Sequence, residues 1–290
     1  MARADLRLPA NVPGDLYVDS TCIDCATCRR MQPDVFAQGD GHSFVARQPV
    51  TPGEEARALQ ALVACPTGSI GTRGRADATR RALASFPEAI GGGVSFCGYT
   101  SEKSFGAWSW LIRRDAGNVL VDAPRAAAPL LARIAEMGGV STMFLTHRDD
   151  VADHAAIRKR FGCTRVIHAR DAAALGEKAE RLLVGDEAVS IGEDLLAIPT
   201  PGHTRGHAVL LWKDVLFTGD HLAWSVRRGH LVAFRDANWY SWPETIRSME
   251  KLLLFDFTRV LPGHGAAFTA GSPAAMRREL ETCIAWMKTR

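Results

Sequence analysis

Residues 145–154 read Leu145-Thr-His147-Arg-Asp149-Asp150-Val-Ala-Asp153-His154, which places two histidines and three aspartates within eight positions. The largely apolar run 142–146 that leads into them is typical of a buried strand, and a helix is predicted over 151–161. Imidazole and carboxylate groups on rigid supports are the ligands that zinc and iron prefer. The stretch therefore predicts a metal-ligating loop that follows the end of a strand.

Three later motifs place similar side chains at the ends of predicted strands. They read Thr200-Pro-Gly-His203-Thr-Arg-Gly-His207, Phe217-Thr-Gly-Asp220 and Leu261-Pro-Gly-His264-Gly. A glycine next to each of His203, Asp220 and His264 permits the tight turn that aims the ligand. We therefore predict one metal site that is assembled from several loops between residues 147 and 264.

A second constellation lies near the beginning of the chain. Cys22-Ile-Asp-Cys25-Ala-Thr-Cys28 has Cys-x2-Cys-x2-Cys spacing, and Cys65 stands directly before Pro66. A tight loop that supplies three thiolates, with a fourth from elsewhere, suits a [4Fe–4S] cluster. A structural zinc ion more naturally uses two separated Cys-x2-Cys pairs. The remaining cysteines are predicted to be ordinary thiols: Cys97, Cys163 and Cys283.

Length and composition limit the classes of function. The chain has 290 residues, of which 47% are hydrophobic and 23% charged, as in an ordinary soluble protein. A net charge of +3 gives no support for nucleic-acid binding. No apolar run approaches the roughly 18 residues that span a membrane, and the charged first residues do not form a secretory signal. We therefore expect a cytoplasmic protein without membrane or nucleic-acid partners.

Glycine-rich stretches at 71–77 and 91–93 predict a boundary between two domains. The predicted division is a first domain at 1–72, a linker at 73–93 that includes a short helix over 78–86, and a second domain at 94–290. Predicted hairpins followed by alternating strands and helices make the second domain a layered α/β fold. The four clustered cysteines thus belong to the first domain, and the histidine motifs belong to the second.

These motifs carry two family resemblances. The cysteine spacing resembles a single-cluster bacterial-type ferredoxin, which implies one-electron transfer. The histidine and aspartate motifs resemble the metallo-β-lactamase superfamily, which implies an αββα sandwich with metals at one edge and an early hairpin strand at 118–122. The resemblance also implies a ligand set: His147 and His203 for a first metal, Asp153, His154 and His264 for a second, and Asp220 between them.

The first motif departs from that family. The usual pattern, His-x-His-x-Asp-His, is six residues long, whereas here the motif is eight residues long and the second histidine is absent. On one interpretation Asp149 replaces the missing imidazole, and the pattern then resembles the flavodiiron branch, whose metals are iron. On the other, Asp149 or Asp150 caps a helix that starts at Val151. Both interpretations remain open at this point.

Other histidines and aromatic residues have less specific patterns. His207 is predicted to support the turn by hydrogen bonding, and His221 to lie outside the ligand set. The segment 222–242 combines tryptophans with arginines. It is either the mouth of a site for an anionic ligand or a packed and solvated edge.

Two functions follow from these patterns. The first is hydrolysis of a small molecule, with one or two zinc or iron ions that activate water and with Asp153 or Asp220 orienting that water. The alternative is a non-haem iron or di-iron redox enzyme that receives electrons through the cluster. The cluster also implies an electron-transfer partner protein.

Overall fold

The computed structural model describes residues 2–74 and 76–290. The chain forms two compact units whose segments interleave along the sequence. The first unit consists of Met1–Asn118, Pro124–Val140 and Ala152–Gly162, and the second of Val119–Ala123, Ser141–Val151 and Cys163–Arg290. The bounds of these units differ from the predicted boundaries at 72 and 93. The division into a cysteine-containing domain and a histidine-containing domain remains a prediction.

The first 71 residues of the first unit form small elements around one longer helix. That helix, α2, begins with a capping box: Glu54 N donates to Thr51 Oγ1 at 3.2 Å, and the Glu54 carboxylate accepts from Thr51 N. Its last residue, Ala64, directly precedes Cys65. The elements are β1 (Tyr17–Val18), α1 (Thr27–Met31), β2 (Phe36–Gln38), β3 (Ser43–Val45), α2 (Pro52–Ala64) and β4 (Ile70–Gly71).

The predicted linker contains regular structure. The helix expected there is present but starts and ends two residues earlier, and a strand that the sequence did not reveal follows it. That strand pairs with the next one along the chain, which pairs in turn with a third, so the three form an antiparallel meander. The remaining elements of the first unit are α3 (Ala76–Ala84), β5 (Glu88–Gly91), β6 (Val94–Phe96), β7 (Trp110–Ile112), α4 (Ala128–Glu136) and α5 (His154–Phe161).

Parallel strands open the second unit. Each pairs with the next in parallel, and the apolar residues of the first three are buried on both faces, as is usual for such strands, whereas Leu182 in the last is exposed. A short 3-10 turn at Ala172–Leu175 ends at Gly176, which has the left-handed conformation. The strands are β8 (Val119–Val121), β9 (Thr142–Phe144), β10 (Thr164–His168) and β11 (Arg181–Leu183).

A second, mixed sheet and two helices complete this unit. Ser241 and Ser272 cap the helices through their hydroxyl groups, each followed by proline in the first turn. The sheet order is β12-β13-β14-β15-β18-β19, and β16 pairs with β17 in a separate hairpin. Their bounds are β12 (Val189–Gly192), β13 (Leu195–Pro199), β14 (Ala208–Trp212), β15 (Val215–Gly219), β16 (Ala223–Ser225), β17 (His230–Val232), α6 (Trp242–Leu252), β18 (Arg259–Pro262), β19 (Phe268–Thr269) and α7 (Pro273–Lys288).

The core of the second unit lies between this sheet and the helices α6 and α7. Leu216 and Val260 from the sheet, Met249 from α6 and Met287 from α7 are all completely buried in one apolar cluster. Packing on this face holds the ends of β15 and β18 in place, and the site residues follow those ends. In the part of the chain that the structure describes, no helix combines the length and apolar character that a membrane crossing requires.

Leu216→Ala is expected to reduce the free energy of unfolding by about 2–5 kcal/mol, because it opens a cavity at a position with 0% exposure. Chemical denaturation of the metal-loaded protein measures this loss. The matched control is Leu254→Ala, at a side chain that is 79% exposed, which is expected to change stability by less than about 0.5 kcal/mol. Equal losses in the two variants would contradict this description of the core.

Candidate metal sites

Three of the four clustered cysteines lie on a loop that turns sharply. Asp24 and Ala26, the residues on either side of Cys25, have φ angles of 58° and 64°, which fold the loop back on itself. Cys28 lies in α1, and the end of α2 brings Cys65 to the same place. All four line one small cavity.

The sulfur environment suits a cluster better than a single ion. A zinc ion with Zn–S distances of about 2.3 Å needs sulfur atoms roughly 4 Å apart. Among the described residues, no three of these cysteines have sulfur atoms that all lie within 4.8 Å of one another. Backbone N–H groups of Ser43 and Ser69 donate to the sulfur atoms of Cys22 and Cys65 at 3.4 and 3.3 Å, contacts that stabilise thiolates.

Burial and a neighbouring loop enclose the cysteines. Burial raises the pKa of Cys25, and it raises the pKa of Cys28 to about 12, so a bound cluster must displace protons from these thiols. Gly106 has φ +80°, and a Cβ there would lie 2.8 Å from the Cys25 sulfur. Sequence reasoning missed this contact, because nothing local connects Gly106 with the cysteine loop.

The histidine motifs of the second unit converge on one point. His147 follows β9, His203 follows β13 and Asp220 follows β15, and donor atoms of all three lie within 4.8 Å of one another. The Nε2 atoms of both histidines lie 3.9 Å from Asp220 Oδ2. Asp149 Oδ2 lies 3.5 Å from His203 Nε2 and 3.8 Å from His147 Nε2. These four side chains form the first donor group.

Asp220 also belongs to a second donor group, with Asp150 and His264. His264 Nδ1 lies 2.8 and 3.0 Å from the two Asp220 carboxylate oxygens. Gly263 makes room for this arrangement, since a Cβ there would lie 2.9 Å from Asp150 Oδ2 and 3.0 Å from Asp220 Oδ1. Sequence reasoning did not assign Asp150 as a ligand.

The donor atoms of these groups fit a bound cation. Ring nitrogens of His147 and His203 and one carboxylate oxygen each of Asp149 and Asp150 are buried and have no hydrogen-bond partner. Buried polar atoms are normally paired, and leaving them unpaired costs free energy. Imidazole and carboxylate together are a donor set for zinc or iron. Metal ions held by the two donor groups would satisfy the atoms that face them.

The predicted ligands Asp153 and His154 lie elsewhere. Helix α5 starts at His154 with Asp153 as its N-cap, so neither Asp149 nor Asp150 caps a helix at Val151. The Asp153 carboxylate accepts from Lys103 Nζ at 2.7 Å and from Ala126 N at 2.9 Å. Neither Asp153 nor His154 is in the two donor groups. The extra residues of the motif instead form a 3-10 turn at Arg148–Asp150, which presents two successive aspartates.

Hydrogen bonds behind the ligands hold them in orientation. Thr146 Oγ1 lies 2.9 Å from His147 Nδ1 and donates to the buried Asp122 carboxylate, which also accepts from Thr146 N at 2.8 Å. Asp171 accepts from Arg148 N at 3.1 Å and from Gly206 N at 2.9 Å, so it joins the two ligand loops. Such supports fix ligand geometry in metal sites. Sequence reasoning assigned no role to Asp122 or Asp171.

Burial sets the protonation of the donors. It lowers the pKa of His147 to about 4, which keeps the imidazole neutral and able to bind a metal. Burial, followed by the nearby Asp220, raises the pKa of Asp150 well above its usual value. Burial acts to raise the pKa of Asp220 too, but His264 and the other imidazoles lower it overall. A bound cation would favour the ionised form of the Asp149, Asp150 and Asp220 carboxylates.

Two further histidines lie buried beside the donor groups. His207 Nδ1 lies 2.9 Å from Thr200 Oγ1, in keeping with a support of the turn, while its Nε2 has no partner. Both ring nitrogens of His221 are buried without partners, and burial lowers its pKa to about 3. In segment 222–242, Trp239 N donates to His203 O at 2.9 Å, which places part of that segment against the first donor group.

Two family models match the chain. Residues 104–264, more than half of the chain, match the family model described as the metallo-beta-lactamase superfamily. The chain belongs to the metallo-beta-lactamase superfamily. Residues 18–72 match a second family model, the 4Fe-4S single cluster domain of Ferredoxin I. Both predicted resemblances and the predicted fold class, a ferredoxin-like region followed by a metallo-β-lactamase sandwich, are confirmed.

Several relatives from this superfamily are similar over part of the chain. A hydroxyacylglutathione hydrolase of Acidiphilium cryptum (strain JF-5) is 30% identical over 162 residues, which are 54% of this chain and 63% of that protein. One of Stenotrophomonas maltophilia (strain R551-3) is 35% identical over 118 residues, 39% of this chain and 45% of that protein. The chain therefore spans less than two thirds of either relative.

Solved structures of the superfamily share the fold. The BLEG-1 B3 metallo-beta-lactamase superposes with a TM-score of 0.51 at 20% identity, covering 61% of this chain and 93% of that one. The DIM-1 metallo-beta-lactamase gives 0.52 at 16% identity, covering 67% and 96%. At these identities the likeness shows that the chain has the same fold, and it does not indicate the substrate.

Cys65→Ala is expected to abolish cluster binding, because the loop alone offers three thiolates to a cluster that needs four. The anaerobically purified wild type should contain about four acid-labile sulfides per chain, and the variant fewer than about one. Cys97→Ala is the control, since Cys97 is equally buried but outside the cavity, and it should retain the wild-type content. A Cys65→Ala protein with unchanged sulfide would contradict the assignment.

Asp150→Asn is expected to weaken metal binding by at least about tenfold, because it removes a charged donor shared with Asp220 and His264. Asp153→Asn, the matched control, should bind metal like the wild type. Metal beyond the cluster iron is counted per chain by elemental analysis, with labile sulfide measuring the cluster. Loss of metal in the Asp153 variant, together with retention in the Asp150 variant, would restore the family's usual assignment.

Proposed function

We propose that the chain is a metal-dependent hydrolase of a small molecule, fused to a [4Fe–4S] module. The observation that carries this proposal is the pair of donor groups joined at Asp220, whose buried ring nitrogens and carboxylate oxygens lack protein partners. His147, Asp149, His203 and Asp220 would hold one metal ion. Asp150, Asp220 and His264 would hold a second.

A bound zinc or iron ion lowers the pKa of water to about 7 and polarises the bond to be cleaved. The protein's own contribution is orientation and charge. Asp220 faces both donor groups and is the residue best placed to orient the attacking water through a carboxylate oxygen. The Asp122–Thr146–His147 hydrogen bonds keep the His147 ring turned with Nε2 toward the site.

The relatives suggest which bond to test first. Their names describe hydrolysis of hydroxyacylglutathione, which is a thioester. We propose a thioester of a small thiol as the substrate class. A carbonyl of this kind needs a polarising cation and an oriented water, and the donor groups supply both requirements.

The redox alternative has one specific observation in its favour. The donor groups contain three carboxylates, and Asp149 lies where the family usually has an imidazole. A greater share of oxygen donors favours iron over zinc. In that case the cluster bound by Cys22, Cys25, Cys28 and Cys65 would carry electrons between a partner protein and a non-haem iron site.

Metal analysis combined with a thioester assay separates the two functions. Zinc in addition to about four cluster irons, with thioester cleavage that is lost on chelation and restored by zinc, supports the hydrolase. About six irons, no zinc and no cleavage under anaerobic conditions would overturn it in favour of the redox enzyme.

His203→Ala is expected to reduce kcat/KM for hydroxyacylglutathione by more than about 100-fold, because it removes an imidazole donor of the first group. His42→Ala, at a partly exposed histidine in the cysteine-containing region, serves as the control and should leave the rate unchanged. Equal rates in the two variants would show that the cleavage does not use this site.

A further inference from the structure

A cavity with four arginines lies in the second unit, and none of its lining residues belongs to a donor group. Its volume is about 490 Å3, within the range of small-molecule sites. The arginines come from two segments that are distant in sequence: Arg227, Arg228 and Arg235 from 225–237, and Arg290 from the end of the chain. We call it the arginine cavity.

Stacking and turn geometry hold these arginines in place. The guanidinium carbons of Arg228 and Arg290 lie 5.1 and 5.5 Å from the ring centroid of Trp286, so both cations pack on one indole. The turn between β16 and β17 is fixed by Arg228 N and Gly229 N, which donate to Ser225 O at 3.1 and 2.8 Å. Stacking on the indole thus orients the guanidinium groups of Arg228 and Arg290, and the turn fixes the backbone from which Arg228 extends.

The cavity has an excess of positive charge. Within the part of the chain that the structure describes, none of its four arginines lies within ion-pair distance of a carboxylate, and Asp236 is the single acidic residue in its lining. By contrast, Arg165 is paired with both Glu177 and Glu180. The four arginines and Asp236 give the lining of the cavity a net charge of +3.

The other walls suit a small organic molecule. Val232 and Ala233 are buried and form an apolar floor. Trp286, on which Arg228 and Arg290 stack, also lines the cavity. An apolar floor with a few convergent polar groups is typical of ligand pockets.

We propose that the arginine cavity binds a small molecule carrying at least two phosphate groups. Guanidinium forks donate paired hydrogen bonds to phosphate oxygens, and several of them at one cavity favour a polyanion over a single carboxylate. This site goes beyond the proposed hydrolysis and does not depend on it. It assigns the arginines of segment 222–242 to a ligand site, which is one of the two interpretations that the sequence left open.

Glucose 1,6-bisphosphate is the probe, and calorimetric titration of the full metal-loaded protein at low salt is the measurement. We expect saturable binding that weakens as salt is added, and no binding of glucose. Arg228→Gln and Arg235→Gln should each weaken binding by about tenfold, whereas Arg228→Lys, which keeps the charge, should lose less. Arg278→Gln, an exposed arginine of α7 outside the cavity, removes the same charge and should bind like the wild type.

The outcomes separate the possible ligands. Absence of binding to the wild type, or equal weakening by Arg278→Gln, would overturn the proposal. Binding only to RNA or only to vesicles containing phosphatidylinositol phosphates would overturn it as a small-molecule site. Thioester cleavage measured on the same variants should stay at the wild-type rate, so that failure of this proposal is distinguishable from failure of the proposed hydrolysis.

Discussion

The burial of imidazole and carboxylate donors without protein partners is the constraint on which the second unit depends. His147, His203 and Asp150 are almost completely removed from solvent, and each has a donor atom that makes no hydrogen bond. Such atoms cost free energy unless a cation compensates them. The packing of β9, β13, β15 and β18 therefore holds these unpaired polar atoms in the interior, although burying them is unfavourable in the absence of a cation. Stability of the fold and capacity for a metal are two aspects of the same arrangement.

Close backbone approach makes the convergence possible. Gly219, at the end of β15, has φ +47°, and a Cβ there would lie 2.4 Å from Thr146 Oγ1 and 3.0 Å from His207 Nε2. The strand that delivers Asp220 can therefore lie directly against the loop that delivers His147. Thr146 O accepts from Ala208 N at 2.8 Å, which connects the same loop to the start of β14. A side chain at Gly219 would collide with Thr146 and push the strand that carries Asp220 away from the loop that carries His147.

Local patterns revealed the cysteine loop and the strand-end motifs, because spacing and flanking apolar runs are properties of short segments. The role of the 149–154 stretch was harder to predict, since it depends on whether the chain turns before or after Asp150. Long-range bonds settle that choice: Ala123 N donates to Asp150 O at 3.2 Å, and Arg148 N donates to Asp171 at 3.1 Å. Asp122 and Asp171 could not be assigned for the same reason. Their function exists only when distant loops are brought together.

Charge balance connects the donor set with the number of metal ions. Asp149, Asp150 and Asp220 bring three negative charges when ionised, and His147 brings none, since burial lowers its pKa to about 4. One divalent cation would leave a buried negative charge, which is unfavourable in a site of low dielectric. Two would leave a small positive excess, which suits an electron-rich carbonyl oxygen or an anionic substrate. The third carboxylate therefore favours occupation of both donor groups, whichever metal is bound.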